Sequence, residues 1–197
     1  MDSPAHLQAR MALCRPEHMV LDLFVRSLRE SIAQHMCQAL KHAAGFILPD
    51  APPRGAPTHR SAREYLELLH EGANTLNQLL GHDYATAVEQ LSFTASGPVF
   101  SAPVGAMVMA IAGEDPHRGL FLGSGLAEAT STFGERDYER LSDSSARLRF
   151  KDEFFGPAWC TGLVRGGLLQ KNPEQRFHVS LETGEPPYKD FSLLVTW

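Results

Sequence analysis

Long apolar segments and paired cysteines are missing from this sequence. No apolar run approaches the ~20 residues that a membrane-spanning helix requires, so we expect no membrane partner. The N-terminus has no continuous apolar stretch, which argues against a secretory signal. The three cysteines, Cys14, Cys37 and Cys160, form no Cys-x-x-Cys pair. We therefore expect reduced thiols and a cytoplasmic location.

The sequence also has no excess of positive charge. Its formal net charge is -5, and its lysines and arginines are scattered, which disfavours nucleic acid as a partner. The 197 residues are 43% hydrophobic, enough to build a core without disulfides or metal. We predict one domain over residues 1–197, with residues 1–15 as an N-terminal arm.

Complete metal and catalytic motifs are absent as well. His35 and His42 are seven residues apart and share a predicted helix face, where two imidazoles could ligate a metal or a haem. A zinc site needs a third ligand, and the nearby Cys37 points off that face, so we expect no metal and no cofactor. No Gly-x-Ser-x-Gly elbow surrounds the serines that could act as nucleophiles, Ser92, Ser96 and Ser101. The remaining candidates for catalysis are His70, Asp83 and Cys160, whose thiol is either activated at a helix N-terminus or a small core hydrophobe.

Helix patterns dominate the first two thirds of the chain. Apolar residues recur at steps of three and four from Glu17 to Leu48, and a Pro-rich loop follows at 49–60. Ser61 with Glu64 predicts a capping box, and Gly81 predicts the end of that helix. Three further predictions are a helix over 83–91, a turn-rich break over 92–98 and a helix over 119–133.

The segment 103–112 is almost wholly apolar. We expect it to be buried on all sides or to line a cavity, with Met107 and Met109 either in the core or on the floor of a pocket.

The last third alternates apolar and polar residues, which is typical of strands. The predicted strands are 138–142, 147–151, 177–181 and 191–197, with a helix over 157–170 between the two pairs. Gly162, Gly166 and Gly167 allow a neighbouring backbone to approach that helix closely. We predict an α+β fold in which N-terminal helices pack on a four-stranded antiparallel sheet, in the order strand-strand-helix-strand-strand at the C-terminus.

Several segments resemble a paralogous family of about 200 residues that is largely confined to myxobacteria and has no assigned function. The resemblance is carried by residues 22–28 (DLFVRSL), 156–159 (GPAW), 161–168 (TGLVRGGL) and 190–197 (DFSLLVTW), and it covers most of the chain. The same ending is similar to vinyl-reductase-like and haem–nitric-oxide-binding-like domains, which are sensors. The chain departs from the haem binders because it has no Tyr-x-Ser-x-Arg porphyrin clamp.

The resemblance implies a binding role. Some members of the myxobacterial family look like accessory proteins of ribosomal peptide natural-product biosynthesis, which implies a peptide ligand. Arg147 and Arg149 on one strand could hold a carboxylate or a phosphate, or could instead be a solvated face. If that strand lies at a sheet edge, an extended peptide could add to it. The predicted ligand contacts are Arg147, Arg149, Phe155 and Trp159.

These observations favour a non-catalytic protein that binds a peptide or another small molecule and forms a homodimer. The alternatives are an enzyme-like helper of peptide cyclisation and a small-molecule sensor in signalling.

Overall fold

The computed structural model describes residues 2–40 and 58–197. Most of the predicted Pro-rich loop at 49–60, and His42, lie outside the described residues. The helices are α1 (Pro4–Leu13), α2 (Asp22–Leu40), α3 (Ala62–Leu80), α4 (Tyr84–Ser101), α5 (Pro103–Ala112), α6 (Pro116–Thr130) and α7 (Pro157–Lys171). The strands are β1 (Met19–Leu21), β2 (His59–Ser61), β3 (Glu135–Ser142), β4 (Ser145–Lys151), β5 (His178–Gly184) and β6 (Phe191–Thr196).

The main sheet has four antiparallel strands in the order β3-β4-β6-β5. Helix α7 connects β4 to β5, and the other helices precede the sheet. The predicted α+β class and the strand-strand-helix-strand-strand ending are therefore confirmed. The strand β4 is paired on both sides, so the edge position considered for the strand of Arg147 and Arg149 is wrong. The edges are β3 and β5.

Two helix boundaries follow from local sequence. The Ser61 hydroxyl accepts a hydrogen bond from the Arg63 amide at 3.2 Å, so Ser61 caps α3 as predicted. Gly81 ends α3 with a φ of 67°, a left-handed conformation that suits glycine. The expectation that a helix begins at Glu17 is wrong, because Met19–Leu21 pairs with β2 as a short strand and α2 begins at Asp22.

Helix α4 is continuous where a break was predicted at 92–98. It packs along α7, and the α7 glycines make this contact possible. A Cβ atom at Gly162 would lie 2.2 Å from the Glu89 carbonyl oxygen, and one at Gly166 would lie 2.1 Å from the Ser96 hydroxyl. The predicted close approach of a backbone to α7 is confirmed, and this packing keeps α4 helical through its small polar residues.

The N-terminal segment is fixed by a buried ion pair. Residues 4–13 form α1, and Arg10 is fully buried in a two-pronged contact with Asp2, with both N–O distances at 2.9 Å. Arg10 also donates to the backbone carbonyl oxygens of Phe154 and Phe155. Within the described part of the chain, the N-terminal segment therefore anchors the turn between β4 and α7 through Asp2 and Arg10.

Helix α5 is not buried on all sides. Met107 and Ile111 are 59% and 55% exposed, so the expectation that Met107 lies in the core is wrong. Among the described residues, α5 packs mainly against α4 and α6, and Met109 lines the cavity described below. Among the described residues no single helix is long and apolar enough to span a membrane, although α4 and α5 together pass that test with a bend of 89°.

Candidate functional site

A cavity of about 110 Å³ lies between α6, α7 and the main sheet. We call it the α6–α7 cavity. One row of side chains on α7 and one row on α6 line opposite sides of the cavity. Residues of β3, β4, α4, α5 and α2 close the remaining sides. The principal wall residues are Phe24, Phe100, Met109, Leu120, Leu148, Phe150, Phe155, Trp159, Leu163, Val164 and Leu168. A partly closed space with mostly apolar walls of this kind suits apolar ligands.

The two helices run in opposite directions along the cavity. At one end Gly119 of α6 faces Leu168 of α7, since a Cβ atom at Gly119 would lie 3.9 Å from the Leu168 Cδ2 atom. At the other end Ser131, just after α6, accepts a hydrogen bond from Arg136 beside the start of α7. The wall residues of α7 extend from Trp159 to Lys171, about 18 Å at the rise of an α-helix. The cavity is therefore long and narrow.

Small residues on α6 leave this space open. Gly119, Gly123 and Ala127 recur every four residues and all line the cavity. A Cβ atom at Gly123 would meet nothing within 4 Å. Gly123 is half-buried and lines the cavity, so a larger side chain would fit at this position, and the small residues of α6 keep the cavity wide there.

A buried ion pair closes the inner end of the cavity. Arg136 of β3 donates to Glu153 Oε2 at 2.9 and 2.5 Å, and it is only 7% exposed. Its other nitrogen donates to the Ser131 hydroxyl and to the Phe133 carbonyl oxygen. Glu153 is fully buried, and its second oxygen accepts from the Phe155 amide. Both charges are thus satisfied within the protein, and neither is free to bind a charged ligand.

Aromatic rings form the wall next to this pair. Phe155 and Trp159 line the cavity, and the Tyr65 ring contacts both of them, at centroid distances of 5.0 and 5.5 Å. The Trp159 indole nitrogen and the Tyr65 hydroxyl are buried, and neither has a hydrogen-bond partner within residues 2–40 and 58–197. An unpaired buried donor costs about 1–3 kcal/mol. The aromatic packing at this wall therefore leaves two buried polar groups of the described chain without hydrogen bonds.

Cys160 also lines the cavity, but its thiol is not activated. Burial raises the pKa of Cys160 well above its ordinary value, and the nearby Glu153 carboxylate raises it further. The thiol therefore stays protonated at neutral pH, and a protonated thiol is a poor nucleophile and a poor metal ligand. Of the two readings of Cys160 from sequence, the geometry favours the buried hydrophobe.

The other two catalytic candidates are engaged locally. His70 Nδ1 lies 3.0 Å from the Tyr84 hydroxyl, and His70 Nε2 lies 3.1 Å from the Asn74 amide. Asp83 caps α4, and hydrogen bonds from the side chain and backbone of Thr86 lower the pKa of its carboxyl. Each of the two residues thus bonds to its own neighbours, and no hydrogen bond in the described part of the chain joins either of them to Cys160.

The predicted ligand contacts fall into two separate groups. Arg147 and Arg149 point to the outer face of the sheet, where both bond to Glu139. Arg147 also donates to Glu182 at 2.5 and 2.7 Å, and this hydrogen bonding raises the pKa of Arg147 and lowers that of Glu182. Phe155 and Trp159 are buried in the wall of the α6–α7 cavity. The structure does not bring the two groups together.

The histidine pair considered for metal binding is only half described. His35 Nε2 lies 2.9 Å from the Thr94 hydroxyl, and burial lowers the pKa of His35. Within residues 2–40 and 58–197 no group of three or more His, Cys, Asp or Glu side chains is arranged to hold a metal ion.

Sequence reasoning missed the main features of the cavity. Arg136 and Glu153 look like ordinary surface residues of strands and turns, and nothing in their spacing indicates that they meet. The four-residue spacing of Gly119, Gly123 and Ala127 was visible in the sequence and could have indicated a helix face next to open space.

The fold defined above is that of H-NOX proteins. Similar solved structures include a mutant of the unliganded Fe(II) H-NOX protein from K. algicida, with 10% identity, a TM-score of 0.60 and coverage of 89% of this chain and 95% of that chain. The Fe(II)NO form of an H-NOX protein from S. oneidensis has 12% identity, a TM-score of 0.56 and coverage of 88% and 96%. The IWP-051-bound Fe(II)CO form of H-NOX from Shewanella woodyi has 14% identity, a TM-score of 0.55 and coverage of 88% and 92%.

Residues 13–197 match the family described as protein of unknown function DUF2378, and the chain belongs to that family. No curated protein matches the sequence significantly. At identities of 10–14%, the H-NOX structures establish the fold of the chain and leave its ligand to be argued from the residues present.

Haem, which the H-NOX fold implies, does not fit these residues. The α6–α7 cavity of about 110 Å³ is below the roughly 300–1,000 Å³ of sites for drug-sized ligands, and a porphyrin is larger still. None of its described wall residues is a histidine, a common axial ligand of haem iron. Arg136, a charged residue that could face a propionate, is already held by Glu153.

Proposed function

We propose that this domain is a non-catalytic binding protein that takes a small apolar molecule into the α6–α7 cavity without haem. The single observation that carries the proposal is the apolar cavity between α6 and α7, whose α6 wall consists of the small residues Gly119, Gly123 and Ala127. Empty apolar cavities of about 150 Å³ bind molecules such as benzene or xenon, and this cavity is about 110 Å³.

The surroundings of the cavity support binding rather than catalysis. Its described walls hold no histidine, its thiol is kept protonated by burial, and its buried acid is bound to Arg136. General acid–base chemistry needs a group that can exchange a proton with the substrate. The enzyme-like alternative therefore has little chemical support at this site, whereas the sensor alternative is compatible with it.

Fluorescence of Trp159 tests the proposal. The chain has two tryptophans, so a Trp197→Phe variant leaves Trp159, in the cavity wall, as the single reporter. Titration with hexan-1-ol should change its emission saturably, and added hemin should give no absorption band of ligated haem. Stoichiometric haem uptake with such a band would overturn the haem-free proposal.

A peptide ligand is the alternative we derived from the resemblance, and it would have to use another surface. Arg147 and Arg149 are held by glutamates and their strand is internal, so a peptide would add to an edge, β3 or β5. Isothermal titration with peptides encoded beside the gene tests this alternative, and charge-reversed Arg147→Glu would weaken binding if the outer face takes part.

The homodimer also stays a prediction. Light scattering on the purified chain should give twice the mass of 21.7 kDa, and a monomer mass would remove it.

A further inference from the structure

We infer that the ligand of the α6–α7 cavity is a thin amphiphile, with an apolar chain inside the cavity and an anionic head group beside Lys171. The inference rests on the proposed function and adds the chemical class of the ligand. It follows from three properties of the cavity: its shape, the placement of its charges and the exposure of one end.

The shape favours a single chain over a ring system. The wall residues of α7 extend over about 18 Å, yet the volume is only about 110 Å³. Gly119, Gly123 and Ala127 form a groove along α6, opposite Leu163, Val164 and Leu168 of α7. Free space that is long but small in volume accommodates one file of carbon atoms.

The charges differ between the two ends. At the inner end Arg136 and Glu153 neutralise each other and are buried. At the outer end the wall includes Lys171, the last residue of α7, which is exposed. Within the part of the chain that the structure describes, Lys171 forms no ion pair, whereas Lys151 and Lys189 both do.

Asp115 is the other charged residue at the outer end, and it is already used. Its Oδ1 atom accepts hydrogen bonds from the His117 and Arg118 amides, at 2.9 and 3.4 Å, as the N-cap of α6. The positive end of the α6 dipole thus offsets this carboxylate. Asp115 is thus engaged by the start of α6, whereas the Lys171 side chain forms no ion pair or hydrogen bond within the described residues and is available to a ligand, so a carboxylate or another anionic head group fits this end better than an amine.

Three six-carbon probes separate the possibilities. Hexanoate, hexan-1-ol and hexylamine share one chain and differ in head-group charge, and each is titrated below its micelle concentration against the Trp197→Phe protein. We expect hexanoate to bind roughly fivefold more tightly than hexan-1-ol, the range of a partly exposed ion pair. Lys171→Met should remove that preference and leave hexan-1-ol binding unchanged, while Lys151→Met, on the outer sheet face, should change neither.

Each other outcome has a distinct meaning. Equal binding of hexanoate and hexan-1-ol, or a preference for hexylamine, would overturn the anionic head group but leave the apolar cavity site standing. Failure of all three probes to bind would overturn the proposed function itself. Retention of the hexanoate preference in Lys171→Met would overturn the role of Lys171, because another group would then recognise the anion.

Discussion

Substitution of Gly123 by leucine should stabilise the protein and abolish ligand binding at the same time. Glycine in a helix interior is about 0.8–1 kcal/mol less favourable than alanine, and leucine is close to alanine. A Cβ atom at Gly123 meets nothing within 4 Å, and Gly123 lines the α6–α7 cavity, so we expect a leucine side chain at this position to occupy the cavity. Burial of a leucine there adds up to about 1.5–3 kcal/mol.

Gly125→Leu is the matched control. Gly125 lies on the same helix and is exposed, and a Cβ atom there would also meet nothing within 4 Å, but Gly125 does not line the cavity. The stability of this variant should rise by the helix-propensity gain alone, about 0.8 kcal/mol, and hexan-1-ol binding should be retained. Urea unfolding and Trp159 titration measure both properties. The reasoning is refuted if Gly123→Leu is less stable than wild type, or if it binds the probe as well as Gly125→Leu does.

Three further predictions concern packing and buried charge. Gly162→Ala would place a Cβ atom 2.2 Å from a backbone oxygen of α4, so we expect a loss of about 1–3 kcal/mol in urea unfolding, and wild-type stability would show that the helices separate easily. Glu153→Gln leaves the Arg136 charge buried without its partner and should cost about 3 kcal/mol in the same assay; a loss below about 1 kcal/mol would mean that the pair is accessible to solvent. Iodoacetamide at pH 8 should label exposed Cys37 but not Cys160 until the protein unfolds, as read by mass spectrometry, and rapid labelling of Cys160 would contradict its burial. Burial also makes the free energy of unfolding depend on pH through Cys160, because the pKa of its thiol is higher in the folded chain than in the unfolded chain. The stabilisation from the buried, protonated thiol is complete at neutral pH. It is lost as the pH rises above about 9, where the thiol of the unfolded chain ionises.

Local rules were sufficient for much of the fold. Three predictions depended on only a few neighbouring residues, and each led to the observed element. They are the Ser61 cap of α3, the end of α3 at Gly81, and the two strands whose polar and apolar residues alternate on either side of residues 143–145. The glycines of α7 also had a local meaning, because a missing Cβ atom always permits close approach. What they approach, α4, depends on contacts between segments about seventy residues apart in the chain.

Tertiary packing decided the features that the sequence reading missed. Ser92 and Ser96 are poor helix formers in isolation, but their hydroxyls donate to the carbonyl oxygens of Glu89 and Phe93, and they lie against α7 glycines. The composition of α5 indicated burial, yet Met107 lies on an outward face. Hydrophobic content shows that a helix avoids water and does not show how many of its faces are covered.

The candidate site was hidden for the same reason. Of the four predicted contacts, Phe155 and Trp159 lie in the cavity wall, but Arg147 and Arg149 lie on the other face of the sheet. The residues that alternate with these arginines on β4, at positions 148 and 150, are the ones that reach the α6–α7 cavity. A period of two along a strand identifies the two faces but does not say which one meets a ligand.

Xenon pressurisation of a crystal tests the central claim most directly, because xenon enters apolar cavities without needing any particular head group. The account predicts a bound xenon atom between α6 and α7, near Gly123 and Leu163, and its loss in Gly123→Leu. A structure with no xenon at that position, or with side chains or haem filling it, would contradict the account.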